Sequence, residues 1–182
     1  MIIKSILPNK VNNSIKGHFY YRATHFYDIQ VQIKPDNYGW NFIWSLQPLS
    51  KPFIVDTYEE LVSPHKEPAE YYIVFDEDIN KQIGWMCIGK VDWNNTSKIY
   101  DLFISPDYQR RGIGSLLVEK AEIRSRNWNK RALTLEVQSC NHQAIIFYRK
   151  NGFEFTGFDL TRYSNDYKDQ QEIGLTFTKI LK

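Results

Sequence analysis

The sequence predicts an α/β fold, a single domain with a mixed, mostly antiparallel central sheet flanked by helices. Three observations carry this expectation. The second half of the chain orders its segments as strand, helix, strand, helix, strand, strand. Within it, "ALTLEVQ" (132–138) alternates strictly, Leu133, Leu135 and Val137 to one side and Thr134, Glu136 and Gln138 to the other. Just before it, Ile113, Leu116, Leu117, Ala121 and Ile123 form a mainly apolar helical face opposite Arg110, Glu119, Lys120, Glu122 and Arg126. A chain of 182 residues has room for one such domain and its core.

From the start, "HFYYRATHFYDIQVQIK" (18–34), "WNFIWSL" (40–46) and "YYIVFDE" (71–77) read as strands, rich in aromatic and β-branched residues. Between the last two, "QPLSKPFIVDTYEELVSPHKEP" holds four of the seven prolines and reads as a surface excursion with a helical turn at "TYEEL". "DEDINKQ" is a turn, so residues 71–90 form a hairpin, and "VDWNNTSK" leads to the strand "IYDLFI". After "ALTLEVQ", "NHQAIIFYRKNG" has an Asn cap, a helical centre and a Gly stop. "FEFTGFDL" and "EIGLTFTKIL" close the chain as strands.

Composition excludes several classes. A formal charge of +2 gives no electrostatic case for nucleic acid or a membrane surface. No apolar run is long enough to span a bilayer and no leader-like segment opens the chain, so a cytoplasmic soluble protein is expected. The two cysteines, Cys87 and Cys140, lack metal-ligand spacing, and no metal is expected. Cys87, in "IGWMCIG", reads as a buried thiol; Cys140 could be a nucleophile only with a base such as His142. The 12 Tyr, 11 Phe and 5 Trp suit a sheet core, or an aromatic wall for a cationic ligand.

The stretch "YDLFISPDYQRRGIGSLLVEK" carries the chemistry. Glycines at a helix start let main-chain N–H groups approach an anion, and Arg110 and Arg111 add charge. There is no G-x-x-x-x-G-K-[ST], and Leu117 stands where a dinucleotide fingerprint needs its third glycine.

"YQRRGIG" followed by "LEVQ" and "NHQAIIFYRKNGF" resembles the GCN5-related N-acetyltransferase family, by motif over roughly residues 70–182. The resemblance implies the acyl-CoA N-acyltransferase fold, with its sheet splayed between two strands, and acetyl-CoA as co-substrate. Leu102, Phe103 and Ile104 are then its main-chain partners for the pantetheine arm. Gln109, Arg110, Arg111, Gly112, Ile113, Gly114 and Ser115 hold the pyrophosphate, and Asn141, Ala144 and Tyr148 complete the cofactor site. Residues 1–70 would shape the acceptor site and 71–182 the cofactor-binding core. "KVDWNNTSKIYDLFI", "LTLEVQSCN" and "GFDLTRYSNDYKD" are further similar to the streptothricin-acetylating branch, which implies a small cationic amine as acceptor.

An alkylammonium, with a pKa of about 10.4, must lose a proton to become a nucleophile, and the leaving sulfur must gain one. By resemblance Tyr148 is the acid, and Asp101 and Glu136 are both open as base. Glu136, a carboxylate on an otherwise apolar strand, is also a candidate for holding the acceptor. Asp159, Tyr163 and Asn165 either line the acceptor site or form an ordinary turn. Acids between Lys51 and Lys81 suggest a lid for a polycation, against a basic stretch from Arg110 to Arg131. The rival acceptors are another polyamine, an aminoglycoside or a protein amine. The rival class is a non-catalytic acyl-CoA sensor, and the assembly is a monomer or homodimer.

Overall fold

A computed structural model describes residues 1–6, 16–36, 38–60, 69–163 and 172–181. Its centre is the most apolar strand, β5 (Lys81–Val91), buried without interruption from Ile83 to Gly89. Such a run requires cover on both faces of the sheet, and both are covered. The other strands are β1 (Ile2–Ile6), β2 (Lys16–Ile33), β3 (Trp40–Glu60), β4 (Ala69–Asp76), β6 (Thr96–Ile104), β7 (Ala132–Gln138), β8 (Glu154–Asp159) and β9 (Gly174–Ile180). Helix α1 (Ile113–Asn127) joins β6 to β7, and α2 (His142–Lys150) joins β7 to β8.

Seven strands form one sheet in the order β1-β4-β5-β6-β7-β9-β8. All its pairings are antiparallel except β6 with β7, which the α1 crossover makes parallel. The predicted α/β class with a mixed, mostly antiparallel sheet is therefore present. On one face Met86 and Ile88 pack with Ile113, Leu117, Val118 and Ala121 of α1 and with Ile145 and Tyr148 of α2. On the other, Trp85, Cys87 and Tyr71 pack with Phe19, Tyr100 and Phe103. No helix among the described residues is long and apolar enough to cross a membrane.

The second face is crossed by the first half of a two-stranded ribbon of β2 and β3, with a register break between Ala23 and His25, while its far half, with Tyr27, Ile29 and Trp44, joins the helix-side core. Phe19 meets Trp85 edge-on, Tyr27 N–H bonds the Ser139 carbonyl at 3.0 Å, and Trp44 packs on Phe155 and Phe177. The expected surface excursion from Gln47 is corrected here. Strand β3 runs on through Thr57, Tyr58, Glu59 and Glu60, where a helical turn was expected, and only 61–68 lie outside the described residues. Pro48 is accommodated because each strand of a two-stranded ribbon keeps one unpaired edge, and Pro52 because it lies in the register break, where pairing is interrupted between Pro48 and Phe53.

The apolar face of α1 is also rotated from its expected position. Leu116 and Ile123 are exposed, whereas Val118 and Ser125 are buried. Ser125 Oγ lies 2.5 Å from Ser97 Oγ of β6 and donates to the Ala121 carbonyl, so a hydroxyl pair fills that part of the helix–sheet contact.

Candidate active site

Strands β6 and β7 pair only over Thr96–Ile99 and Ala132–Leu135. Beyond that point they part, leaving Tyr100–Ile104 and Glu136–Gln138 on the two sides of an opening. The cause is local. Between Ile99 and Asp101 the register of β6 against β5 slips by one, with Tyr100 as the extra residue. A bulge bends its strand and increases its twist, and this one sits where pairing to β7 ends.

Ser105 N–H bonds the Ile83 carbonyl of β5 at 2.8 Å. Main-chain groups alternate along a strand, so Phe103, paired with Trp85, also faces β5, while Leu102 and Ile104 face the opening. Two of the three expected main-chain partners are thus available there, and Phe103 instead adds its ring to the core below. The Ile104 carbonyl already accepts a bond from Gln109 Nε2 at 3.0 Å, which gives Gln109 the task of closing the turn.

At the end of β6, Pro106–Tyr108 make a short 3-10 turn and α1 begins at Ile113. The first helical bond runs from Leu116 N–H to the Gly112 carbonyl. Among the described residues none supplies an acceptor to the N–H groups of Arg111, Gly112, Ile113, Gly114 or Ser115, and Gly112 has no side chain to cap them. Arg110 and Gly112 both take positive φ, 60° and 81°, which curls consecutive amides towards one point. Arg111 lies over the Tyr108 ring, 4.9 Å from its centroid, and Tyr108 in turn bonds Asp76. An anion fits this cradle: open amides, the positive end of a helix and two arginines.

Gly114 is needed for a different reason. A Cβ there would lie 3.0 Å from Phe147 Cζ, so its absence lets α1 approach α2. Replacing Gly114 with Leu should cost about 1–3 kcal/mol through overpacking, read as a lowered denaturant midpoint. A midpoint equal to that of the parent chain would contradict the contact.

Helix α2 brings Tyr148 into the core beside Phe147 and Phe153, 9% exposed. Burial, with the Asp101 charge as a second cause, raises its pKa well above the ordinary phenol value. The hydroxyl therefore stays protonated at neutral pH. Asn141 caps α2, its Oδ1 accepting from Ala144 N–H at 3.2 Å, which accounts for both residues locally. Gly152, at φ 83°, ends the helix as expected.

On the ribbon-covered side, Glu136 is held by Arg162 Nε at 3.0 Å, by Tyr163 OH at 3.3 Å and by Lys98 Nζ at 4.0 Å. The acid expected to hold the acceptor is thus already ion-paired with Arg162 and Lys98. Asp159 is exposed, and its Oδ1 accepts from Thr161 N–H and Oγ1, both at 2.8 Å, making a turn after β8. Asn165 lies outside the described residues.

Cys140 is buried with His142 elsewhere: His142 Nδ1 pairs with Tyr27 OH at 3.0 Å. Cys140 Sγ instead donates to Glu172 Oε1 at 3.4 Å and lies 3.6 Å from Tyr21 OH, which donates to Gln138 Oε1. Burial pushes the thiol up to about 12, so at neutral pH it rests as a thiol and not as the reactive thiolate. Sequence reasoning missed Tyr21, one tyrosine in an aromatic strand, and Glu172, an acid at the end of a polar stretch, because nothing local marks either as buried.

The acidic lid is corrected as well. Glu70 bonds Arg124 on α1, Asp76 bonds Tyr108, Glu77 pairs with the N-terminal amine and Asp56 bonds His18. These acids are dispersed over the molecule, and Glu67 lies outside the described residues. On the basic stretch, Arg124, Arg126 and Lys130 pair with Glu70, Glu122 and Asp92. Three of the seven cations of that stretch are thus paired away from the cradle.

The sequence profile of the acetyltransferase (GNAT) family matches residues 33–153. Streptothricin acetyltransferase A of Bacillus subtilis is 34% identical over 83 residues, 43% of this chain and 48% of its own length. The peptidyl-lysine N-acetyltransferase YjaB of Salmonella typhimurium is 38% identical over 101 residues, 54% of this chain and 60% of its own. The chain thus spans about half the length of the curated relatives it matches. A candidate streptothricin acetyltransferase of Bacillus anthracis, solved in complex with acetyl coenzyme A, superposes with a TM-score of 0.76 at 22% identity, covering 100% of this chain and 98% of that one. Nourseothricin acetyltransferase gives 0.75 at 20% identity with the same coverage, and both likenesses speak for the fold. With a family profile covering more than half its residues, an opened sheet and an uncapped helix start, the chain belongs to the acetyltransferase (GNAT) family.

Proposed function

We propose that this chain transfers an acetyl group from acetyl-CoA to a primary amine, and that the acceptor is the β-lysine part of streptothricin. The observation that carries the reading is the parting of β6 and β7 beside a helix start whose amides are open. The amides of Arg111–Ser115 with Arg110 and Arg111 would hold the diphosphate, and Leu102 and Ile104 would bond the pantetheine amides. Acetyl-CoA supplies the acetyl group as an activated thioester.

The chain's own groups do the rest. Tyr148, kept protonated by burial and by Asp101, gives its proton to the departing sulfur. The proton lost by the ammonium goes to a carboxylate lining the opening, with Asp101 and Glu136 as the two expected on sequence. Transfer is direct, since Cys140, the thiol first considered as a nucleophile, is held protonated by burial. Protein incubated with acetyl-CoA alone should therefore keep its unmodified mass; a gain of one acetyl group on Cys140 would contradict direct transfer.

The streptothricin acceptor is supported by the likeness to two streptothricin acetyltransferases and by the ribbon, which leaves Tyr21, Gln138, Tyr163 and Glu136 grouped beside the opening. The match to a peptidyl-lysine acetyltransferase favours a second reading, a protein lysine acceptor. Release of free CoA thiol with streptothricin, a polyamine, an aminoglycoside and a lysine peptide separates them. Streptothricin should give the highest kcat/KM; a peptide preference would favour the second reading. Acetyl-CoA binding without turnover on any amine would leave a sensor.

A further inference from the structure

Glu172, just ahead of β9, is 8% exposed. Its Oε1 receives the weak bond from Cys140, and its Oε2 is buried with no hydrogen-bond partner among the described residues. Glu136, by contrast, already has Arg162, Lys98 and Tyr163. An ionised carboxylate is expensive to bury without a partner, and no lysine or arginine among the described residues pairs with Glu172.

Its surroundings are rich in acceptors. Gln138 Oε1 and the Tyr21 oxygen lie beside Cys140, and the Glu172 charge also reaches Tyr163, which bonds Glu136. The hydrogens of Tyr21, Tyr163 and Cys140 are already committed to Gln138, Glu136 and Glu172. What this cluster of acceptors lacks is a cation with several N–H donors, and a primary ammonium has three.

We infer that Glu172 is the anchor for the acceptor's ammonium, a buried subsite between Tyr21 of the ribbon, Gln138 and Cys140 after β7, and the entry to β9. The inference rests on the reading that the acceptor is a cationic amine, and it assigns that recognition to Glu172 in place of Glu136. Burial also raises the Glu172 carboxyl above its ordinary range, which suits a group that can take up the ammonium's proton.

The test is Glu172→Gln, with streptothricin and spermidine as probes, binding measured by calorimetry in the presence of CoA and turnover measured by thiol release. The amide has nearly the same shape but cannot balance a cation. Amine affinity and kcat/KM for the amine should fall about 100-fold, with the acetyl-CoA dissociation constant unchanged. If Glu172 were instead a neutral structural acid, the amide would mimic it and amine binding would match the parent, which would overturn the inference. An amine that binds and responds to Glu172→Gln without being acetylated would uphold the subsite and refute the catalytic reading. Failure of the parent to bind either amine would overturn the subsite itself. Glu172→Asp guards against a folding defect: its charge is drawn back by one methylene, an approximately tenfold loss of amine affinity is expected, and none would count against the anchor.

Discussion

Replacing Tyr148 with Phe should lower kcat by about 10²–10⁴-fold while leaving acetyl-CoA affinity within a factor of two. The ring is packed between Phe147 and Phe153, and Phe keeps that packing, so the loss is confined to the hydroxyl. Burial and the Asp101 charge both resist ionisation of the phenol, leaving it as a proton donor over the whole working pH range. Rate profiles at alkaline pH should accordingly show no limb from Tyr148, because its folded-state value is raised far beyond neutrality. Parent-like turnover in the Phe variant, measured at saturating acetyl-CoA and amine, would remove Tyr148 as the acid.

Reversing both charges of the turn, Arg110→Glu with Arg111→Glu, should weaken acetyl-CoA binding about 100-fold, equivalent to about 2.7 kcal/mol. Neither arginine has a carboxylate partner in the described ion pairs, in contrast to Arg124 and Arg126. Their charge is therefore free to act on a diphosphate at the open amides. Raising salt from 0.05 to 0.5 M should weaken the parent more than the variant, since screening removes only an attraction that exists. The two substitutions lie outside the core, so the melting temperature should stay close to that of the parent. Equal cofactor affinity in both proteins would refute this placement of the phosphates.

The legible and illegible parts of this chain divide along physical lines. Strand β7 and helix α2 were readable because their signals are local: strict alternation in "ALTLEVQ", and a cap at Asn141 with a stop at Gly152. The phosphate turn was readable for the same reason, its glycines and arginines being contiguous. The phase of α1 was not, because Ser125 is buried by a partner hydroxyl on Ser97 that no helical period reveals. Strand β1 went unread because five residues, "IIKSI", pair with β4 rather than with a sequence neighbour. Residues 47–60 looked like a loop because prolines usually break strands, and a ribbon with two free edges is the exception.

Non-local chemistry was the least legible. Tyr21, Gln138, Cys140 and Glu172 meet because β2 crosses the end of β7, and more than a hundred positions separate Tyr21 from its partners. The acids between Lys51 and Lys81 looked like one lid because they are close in sequence. Glu70 and Asp76 share a face of β4 but lie six residues apart along it, and Glu77 follows beyond the strand's end, so the three reach separate neighbours.

A crystal structure of the chain with acetyl-CoA bound would test the central claim most directly. The diphosphate oxygens should lie about 3 Å from the N–H groups of residues 111–115, with the pantetheine amides against Leu102 and Ile104 and the thioester between β6 and β7. A diphosphate bound away from that turn, or β6 and β7 closed along their whole length around a cofactor seated elsewhere, would contradict it.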